Sequence, residues 1–306
     1  MYSRDDDVGE ARQPRSSQCY NLTMSLFVFG FGYTGAALSR RLGWPTTATA
    51  RTPEQAAALA ARGVTPVDPN DEAAMAAALK HARAVLVTAA PEPGGCPGLK
   101  VLAPAIARAQ AFPDWIGYLS TTGVYGGRDG RWVFETSPLN AASVEGGRRV
   151  AAERDWRQTA RGMGLTVASF RLPGIYGPGR SALDRVRDGT ARRAIKPGQV
   201  FCRIHVEDIA SALEASILRP RPAAIYNVVD DEPAPPQDVI AYAADLLGVP
   251  APDEVAWDAR PITPSAERFW RENRRVSNAL AKAELGWRPA YPTYREGLAA
   301  ILANGG

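Results

Sequence analysis

From about Leu26 onward, short apolar runs alternate with longer segments in which apolar residues recur at helical spacing. The runs are rich in Val, Ile, Phe and Leu and end at glycine or polar residues, as buried strands do. The longer segments are rich in alanine, leucine and charged residues, which favour helices. Strands that alternate with helices of this kind predict an α/β fold with a doubly wound parallel sheet.

The pattern places each element approximately. The predicted strands cover residues 25–30, 46–50, 64–67, 84–88, 115–120, 165–170 and 225–229. The predicted helices cover residues 33–42, 53–62, 71–80, 145–163, 206–218, 236–247 and 276–285. Thr52 and Ser277 are candidate N-caps for two of these helices. Residues 123–140 form a long loop rich in glycine and charge, a kind of loop that often carries function.

The junction between the first strand and the first helix contains the pattern G-x-G-x-x-G. Gly30 permits a tight turn, Gly32 lets the backbone approach a pyrophosphate, and Gly35 lets the helix pack closely on the strand. The N–H groups at Tyr33 and Thr34 begin a helix whose dipole favours phosphate. A glycine-rich turn without a ligand is the alternative, but the strand–loop–helix context favours a dinucleotide-binding Rossmann unit.

The end of the second strand discriminates between NAD and NADP. An acidic residue there would bind the ribose hydroxyls of NAD, but this chain has Arg51. A guanidinium suits the 2′-phosphate, so NADP is favoured over NAD, with a plain surface arginine as the alternative. Asp68 is a candidate for the adenine amino group or else a turn residue. Ala89 and Ala90 are predicted to pass beside the nicotinamide ribose.

Three regions follow from the pattern. Residues 1–24 are polar and charged, lack the apolar centre of a secretory signal, and are expected to form a disordered N-terminal extension. Met24, just before the first strand, is a second candidate translation start. Residues 25–171, completed by about 201–229, are predicted to form an NAD(P)-binding Rossmann domain. Residues 172–200 and 230–306 are predicted to form a smaller C-terminal substrate-binding lobe.

Composition narrows the class of protein. With 45% hydrophobic and 22% charged residues among 306, the chain resembles an ordinary globular protein. Three cysteines without C-x-x-C spacing and two histidines predict no metal site and a reducing, cytoplasmic location. A run of about 18 apolar residues is absent, so no membrane partner is expected. The net charge of +4 is dispersed, so a nucleic-acid partner is not expected either.

Four later segments resemble motifs of the extended short-chain dehydrogenases/reductases, the superfamily that includes the NAD-dependent epimerase/dehydratase family. They occur in the family's order, and the resemblance covers nearly the whole chain from about residue 26. The segments are LSTTGVYG at 119–126, RLPGIYGPG at 171–179, RIHVEDIA at 203–210 and LGWRP at 285–289. The resemblance implies a nicotinamide cofactor, a small-molecule substrate and, as is common in this family, a possible homodimer.

The resemblance also implies a catalytic Ser/Thr, Tyr and Lys, and here the chain departs from it. The hydroxyl corresponds to Thr121, but the Tyr-x-x-x-Lys pair corresponds to Glu145 and Arg149. Arg149 suits the cofactor ribose but does not release a proton. Glu145 is a candidate acid/base if burial raises its pKa, or else a solvent-facing helix residue.

Other family positions bear on the substrate. The acidic pair of the dehydratases corresponds to Thr122 and Gly123, and the substrate-binding Asn corresponds to Gly174, which argues against dehydration and against a nucleotide sugar. Tyr125 and Tyr176 are expected to be fold or pocket residues, with a role as substitute acid as the alternative. The remaining expectations are that His205 and Asp208 fix a loop and cap a helix, that Trp287 lies in the core of the C-terminal lobe, and that Arg128, Arg131, Arg180 and Arg203 flank the substrate cleft or form a solvated rim.

Two functions therefore remain open. The first is an atypical NADP-dependent oxidoreductase or epimerase-like enzyme that acts on a small, anionic or sugar-like substrate. The second is a non-catalytic NADP-binding sensor or scaffold, for which the missing Tyr/Lys pair argues. A nucleic-acid adaptor rests on the basic pI alone. The fold by itself does not determine the reaction.

Overall fold

A seven-stranded parallel sheet organises the protein. The computed structural model describes residues 24–259, 267 and 270–305, so the predicted extension lies, apart from Met24, outside the described residues. The strand order is β11-β7-β5-β4-β1-β2-β3, and every neighbouring pair is parallel. The chain passes from the edge strand β3 to the central strand β4, so the strand order reverses between β1 and β4, where ligands bind in open α/β folds. The predicted α/β fold with a doubly wound sheet is confirmed.

The described strands are β1 Leu26–Phe29, β2 Thr46–Thr49, β3 Thr65–Val67, β4 Ala84–Val87, β5 Trp115–Thr121, β6 Trp132–Val133, β7 Val167–Leu172, β8 Gly174–Tyr176, β9 Arg193–Ile195, β10 Arg203–His205, β11 Ile225–Asn227, β12 Glu254–Ala256 and β13 Arg275–Val276. The described helices are α1 Tyr33–Leu42, α2 Pro53–Ala60, α3 Glu72–Lys80, α4 Pro97–Ala109, α5 Val144–Met163, α6 Ala182–Arg187, α7 Val206–Leu218, α8 Pro236–Leu246, α9 Ala279–Leu285 and α10 Tyr294–Ala303. A 3₁₀ turn covers Thr122–Tyr125. Within the described ranges, no helix is long and apolar enough to cross a bilayer.

Local chemistry explains several helix ends. The Thr52 side chain accepts a hydrogen bond from the Gln55 N–H, and Pro53 occupies the first helical position of α2, as predicted. Ser143 caps α5 in the same way, and Gly164 ends α5 in the left-handed region.

The predicted helix over 276–285 is wrong at its start. Arg275 and Val276 form β13, which pairs with β6, and α9 begins only at Ala279. Ser277 does not act as the N-cap, a position taken by Asn278. The pairing with β6 is a contact between segments far apart in the chain, so the local sequence does not specify it.

Three of the described helices, α4, α6 and α10, had no counterpart among the predicted elements. Helix α4 connects β4 to β5, and it tolerates Pro104 in its interior. Helix α10 begins with a capping box in which Thr293 and Glu296 bond each other's backbone N–H groups. That box, and Pro97 at the first position of α4, are signals that the sequence does contain.

Each face of the sheet carries its own apolar cluster, built on β1 residues such as Leu26 on one face and Phe27 on the other. A third cluster joins α6, α8 and α10 around Leu183, Ile240 and Leu298. Trp287 belongs to the first of these clusters, and its Nε1 donates to Ser211 Oγ on α7 at 2.8 Å. The expectation that Trp287 lies in the core of the C-terminal lobe is therefore wrong.

Candidate active site

The glycine loop after β1 has the geometry that its sequence predicts. Gly30 has φ +88°, and a Cβ built on it would lie 2.9 Å from Thr88 Oγ1 and 3.3 Å from the Ala89 N. A Cβ on Gly35 would lie 3.0 Å from Val28 Cγ1, so α1 packs closely on β1. A Cβ on Gly32 would meet nothing within 4 Å. The first and third glycines therefore serve packing, whereas the second faces open space.

That open space is the mouth of a cavity of about 320 Å³, here called the loop cavity. Gly32 is the N-cap of α1, no side chain caps the helix, and its first turn holds no acidic residue. Uncapped N–H groups with the positive end of the helix dipole favour an anion. Tyr33 and Thr34 line the cavity, and the Tyr33 hydroxyl donates to the Pro178 carbonyl at 3.0 Å, which joins the loop to the segment after β8.

Thr121, the last residue of β5, also lines the loop cavity. Its Oγ1 accepts a hydrogen bond from the Gly123 N–H at 3.1 Å. A threonine hydroxyl has one hydrogen to donate, and this bond does not use it. The side chain is thus held in place with its hydrogen available to a ligand oxygen.

Arg149 of α5 lies beside Thr121 in the lining of the loop cavity. Its guanidinium donates to the Leu119 carbonyl and lies 5.9 Å from the centre of the Tyr118 ring. Burial raises the pKa of the Tyr118 hydroxyl well above its usual value, so Tyr118 stays neutral beneath the arginine. Arg149 therefore presents a fixed positive charge to the cavity.

The structure places Glu145 apart from this pair. It lies one turn earlier in α5, is exposed, and does not line the loop cavity. An acidic side chain in the first turn stabilises the helix dipole, which fits the interpretation of Glu145 as a solvent-facing helix residue.

The predicted cofactor residues outside the loop occupy the expected edge of the sheet. Arg51 follows β2 and is exposed, and its backbone N–H donates to Gln55 Oε1. Asp68 Oδ1 accepts from the N–H and the side-chain amide of Asn70 at 2.9 and 3.0 Å, the geometry of a turn residue. Ala89 lies against Gly30, and Ala90 is exposed.

A buried polar network supports the site from behind, and the sequence analysis did not predict it. Glu153 of α5 accepts from Ser120 Oγ at 2.5 Å and from Arg171 of β7 at 3.1 and 2.8 Å. Arg171 also donates to the Tyr125 hydroxyl at 2.8 Å, and that hydroxyl donates to Asn227 Oδ1 at 2.7 Å. The network connects α5, β5, β7 and β11 directly behind Thr121.

The remaining candidate acids are structural in their surroundings. Tyr125 is fully buried in the network, and Tyr176 packs edge-on against His205 with ring centres 5.2 Å apart. Burial raises the pKa of both hydroxyls. His205 Nδ1 accepts from the Glu207 N–H at the start of α7, and Asp208 accepts from the Ala290 and Tyr291 N–H groups at 2.6 and 3.1 Å.

A second cavity of about 500 Å³, here called the arginine cavity, adjoins the loop cavity. The two share Pro173, and the neighbours Thr121 and Thr122 line one each. Of the arginines expected at the cleft, Arg203 lines the arginine cavity and Arg180 the loop cavity. Arg128 and Arg131 line neither. Arg128 donates to the Pro138 carbonyl, and Arg131 pairs with Asp129 at 3.5 Å. The arginine cavity is also lined by five residues that no pattern in the sequence predicted: Arg185, Arg192, Arg274, Trp257 and Trp270.

Comparisons with known proteins agree with the fold. No known family model matches the chain. A conserved protein of unknown function from Silicibacter pomeroyi is 49% identical, covers 92% of this chain and 99% of its own, and superposes with a TM-score of 0.83. A Thermus thermophilus UDP-glucose 4-epimerase in complex with NAD is 22% identical, covers 92% of this chain and 98% of its own, and superposes with a TM-score of 0.71. At that identity the likeness shows the fold alone.

Further structural neighbours are NAD-dependent epimerases and dehydratases, whose cofactor is a nicotinamide dinucleotide. Among curated proteins, a 3-diazoavenalumate denitrifying reductase from a Streptomyces species is 28% identical over 169 residues, which are 48% of this chain and 54% of the reductase. The chain spans about half the length of the curated relatives it matches.

Proposed function

We propose that this chain, which belongs to the same family as the Silicibacter pomeroyi protein, is an NADP-dependent oxidoreductase or epimerase-like enzyme for a small, anionic or sugar-like substrate. One observation carries the proposal. The glycine loop, Thr121 and Arg149 line a single cavity of about 320 Å³, and a larger cavity adjoins it at Thr122 and Pro173. Cofactor and substrate sites that open into one another are what hydride transfer requires.

The residues present fit a dinucleotide. The open space at Gly32 and the uncapped N-terminus of α1 suit the pyrophosphate. Arg149 suits the ribose hydroxyls, and Arg51 suits a 2′-phosphate, because no carboxylate at the end of β2 would repel it. A bound nicotinamide would supply hydride to, or accept it from, a substrate carbon.

The chain's own groups would orient the substrate. Thr121, with its hydroxyl hydrogen free, would donate to the substrate oxygen. Arg149 would stabilise negative charge at that oxygen but would not supply its proton. Glu145 is the candidate proton donor, although its exposure favours the solvent-facing role. Glu145→Gln leaving turnover unchanged would remove it from the mechanism.

The test is calorimetric titration of the purified protein with NADPH and NADH. Wild type is expected to prefer NADPH, and Arg51→Ala to weaken NADPH binding about tenfold or more with little effect on NADH, because one charge-assisted contact to phosphate is lost. Arg161→Ala, an exposed arginine in the last turn of α5, is the matched control.

The outcomes separate the parts of the proposal. Failure to bind either nucleotide would overturn it. NADPH binding that Arg51→Ala leaves intact would remove Arg51 from the cofactor site. Tight NADPH binding without oxidation of NADPH by any carbonyl substrate in a broad screen would favour the non-catalytic sensor or scaffold instead.

A further inference from the structure

We infer that the arginine cavity binds a planar aromatic carboxylate, and that this is the substrate class of the enzyme. The inference rests on the proposed function. It concerns the lining of the 500 Å³ cavity, whose charge, aromatic walls and few hydroxyl groups each restrict the ligand.

The charge of the cavity favours an anion. Arg185, Arg192 and Arg203 line it, and none has a salt-bridge partner within 4 Å among the described residues. Arg274 differs, because Glu272 pairs with it at 2.7 Å. Unpaired guanidinium groups that converge on one cavity are suited to a carboxylate or a phosphate.

Arg203 is the candidate anchor. It is half-buried, and its Nη1 donates to the carbonyls of Phe201 and Ala234 at 2.8 and 3.1 Å, which fixes the plane of the guanidinium. The neighbouring Asp230 is fully buried, and among the described residues its carboxyl oxygens accept no hydrogen bond and form no ion pair with Arg203 within 4 Å. A fixed guanidinium with a remaining N–H edge binds one carboxylate in bidentate fashion.

Aromatic side chains line part of the arginine cavity and could stack on a flat ligand. Trp257 and Trp270 have ring centres 6.0 Å apart at 39°, and Phe201 meets Trp270 edge-on at 5.5 Å. Both tryptophans are only half-buried. Offset or edge-on stacking against such rings stabilises a planar aromatic ligand beyond the burial of its area.

The cavity holds few neutral side chains that hydrogen-bond hydroxyls. Among the described side chains that line it, only Thr122 and Thr190 are neutral hydroxyls, and none is Asn, Gln or Ser. The several hydroxyls of a sugar would therefore have to be bonded by charged side chains, which a carboxylate uses more fully. The lining therefore favours an aromatic acid over a sugar derivative.

The test is calorimetric titration with benzoate, 3-phenylpropanoate and cinnamate, with and without saturating NADP⁺. The comparison ligands are methyl cinnamate, which lacks the charge, 3-cyclohexylpropanoate, which lacks the planar ring, and UDP-glucose. At least one aryl carboxylate is expected to bind about tenfold or more tightly than each comparison ligand.

Helix α6 offers a matched pair of variants. Arg185 and Arg187 both lie in its last turn and are exposed, but only Arg185 lines the cavity. Arg185→Gln is expected to weaken binding of the best aryl carboxylate several-fold, and Arg187→Gln to leave it unchanged. Trp257→Leu, which leaves the arginines in place, is expected to reduce the preference for an aromatic over a cyclohexyl acid.

Failure of this inference is distinguishable from failure of the proposed function. If the protein binds NADPH, three results would overturn the inference alone. These are equal binding of cinnamate and its methyl ester, no binding of any aryl carboxylate, and tighter binding of UDP-glucose than of the aryl carboxylates. Absence of nucleotide binding would overturn the proposed function, and the titrations without NADP⁺ would still decide the ligand class of the cavity.

Discussion

Glu153→Gln would remove one charge from an ion pair that water does not reach. The side chains of Arg171 and Glu153 are 2% and 1% exposed, and two hydrogen bonds join them. Glutamine keeps the shape but leaves the guanidinium uncompensated. Breaking a buried pair in this way costs about 3–5 kcal/mol of unfolding free energy. Since domains are stable by roughly 5–15 kcal/mol, the loss should be evident in any unfolding experiment.

The assay is equilibrium urea unfolding followed by circular dichroism. Asp155→Asn is the matched control, because Asp155 lies on the same helix and pairs with Arg154 at 2.9 Å, with the arginine exposed and the aspartate about one-third exposed. An exposed pair contributes about 0–1 kcal/mol. We expect Glu153→Gln to cost several kcal/mol and Asp155→Asn less than about 1 kcal/mol.

A double-mutant cycle checks the cause. Arg171→Met alone should be as destabilising as Glu153→Gln, because it leaves the carboxylate unpaired. The double variant Glu153→Gln, Arg171→Met should lose less than the sum of these two single variants, since no buried charge remains. If Glu153→Gln and Asp155→Asn cost the same, the reasoning from burial is refuted.

Two further predictions concern the glycine loop and pH. Gly30→Ala should destabilise the protein by about 1–3 kcal/mol, because φ is +88° and the new Cβ would lie 2.9 Å from Thr88 Oγ1. Gly162→Ala, in open space within α5, should instead stabilise the protein by about 0.5–1 kcal/mol. Thermal unfolding that shows the same sign of change for both variants would contradict this prediction. Burial lowers the pKa of His205 to about 4, so its imidazole should remain neutral in NMR titration down to about pH 5. The folded pKa lies below the unfolded value of about 6.5, so protonation of His205 stabilises the unfolded chain relative to the native state. The free energy of unfolding should therefore fall as pH decreases from about 6.5 to 4. A His205→Gln variant with the same pH profile of stability as wild type would argue against this prediction.

Local patterns in the sequence predicted most of the fold. Apolar runs such as residues 26–29, helical spacing such as residues 33–42, and the cap at Thr52 are properties of a few neighbouring residues, and the structure forms each of them. The same holds for the glycine loop, because the positive φ at Gly30 and the close helix–strand approach at Gly35 both favour glycine at those positions. The sequence could therefore predict the parallel sheet and the glycine loop at its edge.

The tertiary structure decided what depends on segments distant in the chain. Strand β13 exists because it pairs with β6, about 140 residues earlier, and not because residues 275–276 favour a strand. Glu153 is a buried ion-pair partner only because β7 brings Arg171 beside α5, and Arg185, Arg203 and Trp257 share a cavity only because their elements pack together. Contacts of this kind have no period or spacing in the sequence, since they follow from which surfaces bury each other when the whole chain folds.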